Sequence, residues 1–338
     1  VSTTPIKTLL LAAACAAAFS RIAPAAPPEH HSAPGYGKFE FALIGDVPYA
    51  PADFWKFDNV IRKINADHRL KWVLHTGDIK NGSTLCSDEV FKDRLRRFQR
   101  FRIPFILTPG DNEWTDCHRA NNGSYLPLER LARLRELFYP IPGLTLGQKP
   151  MTVETQADDP AHAEFVENMR WMKQHVMFAT VHIVGSNNGL APFAGRTPAD
   201  DAEVARRIDA ARAWIRETFT KAEEERARGV LVAFQANPGF ELAEGSAERK
   251  GFEEILAELE TEAVNFKKPV VFAHGDSHYF RVDKPMKGSV SKRRIENATR
   301  VENFGADDVH WVRVVVDPKS PEVFSIHQEI VEKNLEQH

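Results

Sequence analysis

A charge surplus of either sign is missing from this chain: across 338 residues, 44 lysines and arginines stand against 47 acids, for a formal net charge of −3. That balance supplies neither a basic face for nucleic acid nor an acidic disordered tail. Past the N-terminus no apolar run approaches membrane-spanning length, and mean hydropathy is −0.38, so stable membrane insertion is not expected. Cysteine numbers only three, of which Cys15 falls in the N-terminal segment, leaving one pair. No repeat of domain size, no linker and no second domain are visible, and residues 39–338 read as a single domain.

The N-terminal segment has its own pattern. A single Lys7 precedes an apolar run from Leu9 to Phe19, and small residues follow, with Ala23-Pro24-Ala25 as a cleavage site. This order is that of a secretory signal peptide over residues 1–25. Residues 26–38 are rich in Pro, Ala and His and read as a flexible tail. The expected location is therefore outside the cytoplasm, in the periplasm or secreted. In an oxidising compartment Cys86 and Cys117 are expected to pair, since both follow Gly-Asp loops that would lie side by side if their strands are adjacent.

What the chain has in quantity is one recurring ending. Four apolar runs stop at Gly-Asp: FALIGD at Asp46, WVLHTGD at Asp78, PFILTPGD at Asp111 and VVFAHGD at Asp276. Each run is short, rich in β-branched or aromatic residues and followed by a helical pattern, so each reads as a buried strand. The spacing predicts strand Phe39–Ile44, helix Phe54–Ala66, strand Trp72–His75, a helix from Ser87 and strand Ile103–Leu107, joined by right-handed crossovers. Further on, it predicts a helix Leu128–Phe138, strand Met177–Val184, helix Ala199–Arg228, strand Val230–Phe234, helix Glu248–Phe266, strand Val270–Ala273 and a closing hairpin around Asp317-Pro318.

The carboxyl end of a strand is where open α/β sheets gather ligands. Four carboxylates gathered there repel one another unless a cation lies between them. Other donors fall at strand ends too: Asn112, Asn187, Asn188, Gln235, Asn237, His274 and His278. Hard oxygen donors with a few imidazoles suit Mn²⁺, Fe, Zn²⁺ or Mg²⁺ better than a soft thiolate site does.

In their order and spacing, Gly45-Asp46, Gly77-Asp78, Gly110-Asp111-Asn112-Glu113, Gln235-Ala236-Asn237-Pro238 and Gly275-Asp276-Ser277-His278 resemble the calcineurin-like metallophosphoesterase superfamily. The resemblance spans roughly residues 39 to 284. It implies a four-layer α/β/β/α sandwich of two mixed sheets, two divalent metal ions and hydrolysis of a small-molecule phosphate ester. It also implies roles for individual residues. Asp46 and His278 would hold one ion, Asp78 would bridge, and Asn112 or Asp111 with Asp276 and Gln235 or Asn237 would hold the other. His274 would serve as ligand, support or acid, and His118, Arg119 and Arg281 would approach the phosphate or the leaving group.

Four positions depart from the family pattern. Pro48 stands where a His ligand is usual, and Asn112 where the family has the His that protonates the leaving group. Gln235 or Asn237 replaces another His ligand, and Asp276 replaces the first His of the last motif. All but Pro48 put an oxygen donor where nitrogen is usual. The alternative expectation is a retained scaffold with weak or no catalysis.

Overall fold

The computed structural model describes residues 1–4 and 36–335. The expected signal peptide and tail fall almost wholly outside the described residues. From Tyr36 onward the chain forms one compact unit built on two sheets.

The first sheet has five strands in the order β12-β11-β1-β2-β3. Strands β1 (Phe39–Ile44), β2 (Leu70–His75) and β3 (Phe105–Leu107) are parallel. Strands β11 (Trp311–Val316) and β12 (Phe324–Glu329) add antiparallel on the other side of β1. The second sheet has seven strands, β4-β5-β6-β7-β8-β10-β9. Its parallel centre is β6 (Val176–Thr180), β7 (Gly229–Ala233), β8 (Val270–His274) and β10 (Ala298–Glu302). Short antiparallel edges are β4 (Glu154–Thr155), β5 (Met169–Lys173) and β9 (Arg281–Asp283).

The sheets face each other across an aromatic core. Phe41 and Trp72 of the first sheet pack on Phe178 of the second, with ring centroids 5.7 and 5.2 Å away. Helices Phe54–Ala66 and Asp88–Phe98 supply Phe57 and Phe98 to the same buried cluster. A second cluster buries Trp214, Ile215 and Phe219 of helix Pro198–Glu224 and Leu256 and Leu259 of helix Glu253–Phe266 against Val230, Val232 and Phe272. Helices thus cover the sheets from outside, and the expected α/β/β/α layering is observed. Ser87 caps its helix, its side chain accepting the Val90 N–H, with Asp88 and Glu89 in the first turn. Parallel strands from both sheets end on the same side, and this convergence builds the site.

Candidate metal centre at the strand ends

Asp46 follows β1, Asp78 follows β2, Asp111 follows β3 and Asp276 follows β8. One carboxylate oxygen from each of Asp78, Asp111 and Asp276 lies within 4.8 Å of the other two. Asp46 joins them through the chain: its Oδ1 accepts the Asp276 N–H at 3.1 Å. Asp46, Asp78 and Asp276 adopt left-handed φ of 55°, 55° and 81°, a conformation Asp tolerates better than most residues.

The glycines of the Gly-Asp pairs act across strands. A Cβ on Gly110 would stand 2.1 Å from Asp78 Oδ1, and one on Gly275 would stand 2.2 Å from Asp46 Oδ2. A Cβ on Gly185, after β6, would meet both Asp111 carboxylate oxygens at 2.7 Å. Each glycine leaves the space that a neighbouring strand's carboxylate occupies.

Other side chains hold the acids in place. Asp78 Oδ2 accepts the amides of Asn112 at 2.8 Å and Gln235 at 3.2 Å. Asp46 Oδ2 accepts Asn303 Nδ2 at 2.9 Å. Ser186 donates to Asp111 Oδ2 at 2.9 Å, and the Asn237 backbone N–H donates to Asp276 Oδ2 at 2.8 Å. Glu113 accepts the N–H groups of Gly110 at 2.7 Å and Asp78 at 3.2 Å, which locks the second and third motifs together.

These contacts do not neutralise the cluster. Burial, then the charge of Asp276, pushes Asp46 well above the usual carboxylate range. Burial followed by Asp111 and Glu113 does the same to Asp78, and burial followed by Asp276 to Asp111. Asp276 is raised as well, chiefly by burial. Asp111 Oδ1 is buried without a hydrogen-bond partner among the described residues. Unpaired carboxylates in this setting are costly unless a cation compensates them, so the donor set fits the divalent ions that the motifs imply.

Not every expected residue takes part. Gln235 spends its oxygen on the Gly185 N–H at 2.7 Å, so it presents its NH₂ to Asp78 rather than an oxygen to an ion. The Asn237 side chain turns to Ser277 Oγ at 2.8 Å, away from the carboxylates. His274 is fully buried between Phe234 and Phe240, its Nδ1 on the Gly275 carbonyl at 2.8 Å, and burial pushes it down to about 3. It packs in the core rather than facing the cluster. His118 hydrogen-bonds the Thr115 carbonyl and stacks on Phe193 at 4.3 Å. Arg281 pairs with Glu302 at 2.6 Å and lines, with Asp276, Ser186 and Asn237, a cavity of about 350 Å³. Arg119 is tied to Asp116 at 2.7 Å.

Four contributors were not expected. Tyr49 lies between Asp46, Asp78 and His278; Asn303 and Ser186 orient carboxylates; Glu113 was visible in the third motif without a role. Besides Glu113 in its motif, Tyr49 carried a signal, as a polar aromatic three residues after Asp46.

The expected Cys86–Cys117 disulfide is present, with Cα atoms 5.8 Å apart. It joins the loops after β2 and β3, and both sulfurs approach the Asn112 carbonyl, at 3.6 and 3.7 Å.

Two packed mixed sheets with helices outside them and a carboxylate centre at their strand ends define a layered α/β/β/α sandwich. Residues 39–280 match the family model described as calcineurin-like phosphoesterase, and the chain belongs to that family. No curated protein matches the sequence. Solved structures resemble it at low identity. One is GAP50, the anchor in the inner membrane complex of Plasmodium, at 10% identity and a TM-score of 0.46, covering 87% of this chain and 89% of that one. Another is PhoD, at 13% and 0.48, covering 86% and 68%. A third is a 5'-nucleotidase from Candida albicans SC5314, at 12% and 0.43, covering 86% of this chain and 50% of that one. This chain therefore spans half the length of that nucleotidase. Among the described residues no helix is long and apolar enough to cross a membrane.

Proposed function

We propose that this protein is an exported phosphoesterase that depends on divalent cations and acts on small phosphate esters. The observation that carries this reading is the buried set Asp78, Asp111 and Asp276, three carboxylates from three strand ends within 4.8 Å of one another. Asp46, Asp78 and His278 would hold one ion, and Asp78, Asp111 and Asp276 the other. Mn²⁺, Fe, Mg²⁺ or Zn²⁺ bound there would polarise a phosphoryl oxygen and supply hydroxide at neutral pH.

The chain's own groups set the rest. The Asn112 and Gln235 amides orient Asp78, Asn303 orients Asp46, and Ser186 orients Asp111. The cavity beside Asp276, with Asn237 and Arg281 on its wall, would receive the leaving group. Asn112 stands where a proton donor is usual and carries no acidic proton. The leaving group must then depart largely unaided, so esters with stable leaving groups, such as aryl phosphates, are the preferred substrates. Export is supported by the N-terminal pattern and by the Cys86–Cys117 disulfide.

The test is phosphate release from an aryl and an alkyl phosphate by chelator-stripped protein, with each cation added back separately. Cation-dependent hydrolysis, much faster for the aryl ester, is expected. Hydrolysis that survives stripping, or no hydrolysis with any cation, contradicts the reading. The second outcome would favour the scaffold without catalysis, which Asn112 in the acid's position also suits.

A further inference from the structure

The family pattern loses a ligand at Pro48, and the next residue stands in the gap. Tyr49 is 7% exposed, and its phenol oxygen lies 2.9 Å from His278 Nε2, 3.4 Å from Asp46 Oδ1 and 3.4 Å from Asp78 Oδ2. His278 Nε2 is in turn 3.6 Å from Asp46 Oδ1. A phenol has one proton, so it donates to only one of these neighbours. The two carboxylate contacts are long for hydrogen bonds from a hydroxyl. Their lengths have another meaning. Donors on a tetrahedral ion with bonds of about 2.0–2.2 Å stand about 3.3–3.6 Å apart. Three of the four separations here fall in that range, and the fourth is shorter by less than half an ångström.

We propose that the Tyr49 phenol oxygen is itself a metal ligand. With Asp46, Asp78 and His278 it completes the first cation site, in place of the imidazole that Pro48 excludes. This deepens the metal-dependent reading and rests on it. On loading, the phenol O–H bond breaks, an oxygen–metal bond forms, and the proton leaves to the solvent. No oxidant or reductant is required. The resulting site is harder and more anionic than one with a second imidazole, and it favours a highly charged ion.

Iron(III) is a suitable probe, because a phenolate bound to it absorbs visible light by charge transfer. The full chain is stripped with chelator, loaded with iron(III), and measured by visible absorption and elemental analysis. Wild type is expected to take up iron and show the band. Tyr49→Phe, which keeps the ring, is expected to lose the band and to bind fewer ions. Tyr49→His, which restores a donor, is expected to recover metal content without the band. Wild type that holds iron without the band overturns the Tyr49 assignment and leaves the metal reading standing, as does Tyr49→Phe with an unchanged spectrum. Wild type that binds no metal under any loading overturns both. Near-ultraviolet circular dichroism of each variant establishes that it is folded, and the wild-type spectrum alone decides the assignment if Tyr49→Phe is not.

Discussion

Asp78 is in contact with both halves of the site. It accepts from Asn112 and Gln235, meets the Tyr49 hydroxyl, and belongs to the triad with Asp111 and Asp276. Asp78→Asn removes a charge shared by both ion positions, so cation-dependent hydrolysis should fall by at least about 100-fold. Full activity with full metal content in the variant would contradict the bridging role. His75 lies behind the site and works differently. Its Nε2 hydrogen-bonds the Val47 carbonyl at 2.7 Å, and its Nδ1 accepts the Gly77 N–H at 3.0 Å. The second contact needs the neutral ring, and burial pushes His75 down to about 4 against the hydrogen bond to Val47, which favours the charged ring. The folded state thus resists a proton that the unfolded chain accepts near pH 6.5. The stability His75 contributes is complete above about pH 6.5 and is lost as pH falls through about 4, roughly 3 kcal/mol in all. His75→Gln should flatten the urea midpoint across that window relative to wild type. An unchanged slope would show that His75 titrates as in the unfolded chain.

The Gly-Asp turns explain why so much of this site was legible in the sequence. An apolar run followed by Gly-Asp fixes a strand, its end and the carboxylate presented there, and β1, β2, β3 and β8 all follow that rule. What the dipeptide did not disclose is that Gly110 and Gly275 each leave room for another strand's carboxylate, Asp78 and Asp46 respectively. Gly110→Ala would bring a Cβ to 2.1 Å from Asp78 Oδ1 and 2.4 Å from its backbone nitrogen. The backbone must shift, at a cost of about 1–3 kcal/mol, and cation affinity should fall further than global stability does. Calorimetric titration with Mn²⁺ beside a denaturation curve separates the two effects. The strands missed in sequence had weaker signals. Strand β5 turns into β6 through Gln174-His175, both at positive φ, without the Asn-Gly or Asp-Gly that marks such hairpins. Strand β10 buries Arg300 and Glu302, whose partners Asp283 and Arg281 lie on β9, so buried ion pairs hid the apolar alternation. Asn303 ends that hidden strand, and its role was hidden with it. The two loops after β2 and β3 are tied by the disulfide, whose loop spans a separation of 31 residues. Replacing both cysteines by serine should cost roughly 3–4 kcal/mol, read as a lowered denaturation midpoint.

Across the molecule, two sheets position what neither holds alone. Asp46, Asp78 and Asp111 come from the first, while Asp276, Gln235 and Ser186 come from loops of the second. Burial and mutual repulsion raise Asp46, Asp78, Asp111 and Asp276 above their unfolded values. Groups raised in this way favour folding below the unfolded carboxylate range and lose that contribution as pH rises through the folded value. Without cations these four groups should therefore subtract stability from about pH 4 upward, a trend opposite in sign to that of His75. Added Mn²⁺ should raise the melting temperature more at about pH 7.5 than at about pH 5, because protons compete for the same oxygens. Equal shifts at both values would mean that the ion binds elsewhere. The most direct measurement is anomalous diffraction from a crystal soaked in Mn²⁺. A peak about 2.2 Å from carboxylate oxygens of Asp78, Asp111 and Asp276 is expected. A soaked crystal with no peak in that pocket, or with its ions bound only at other carboxylates, would contradict a cation-dependent site at these strand ends.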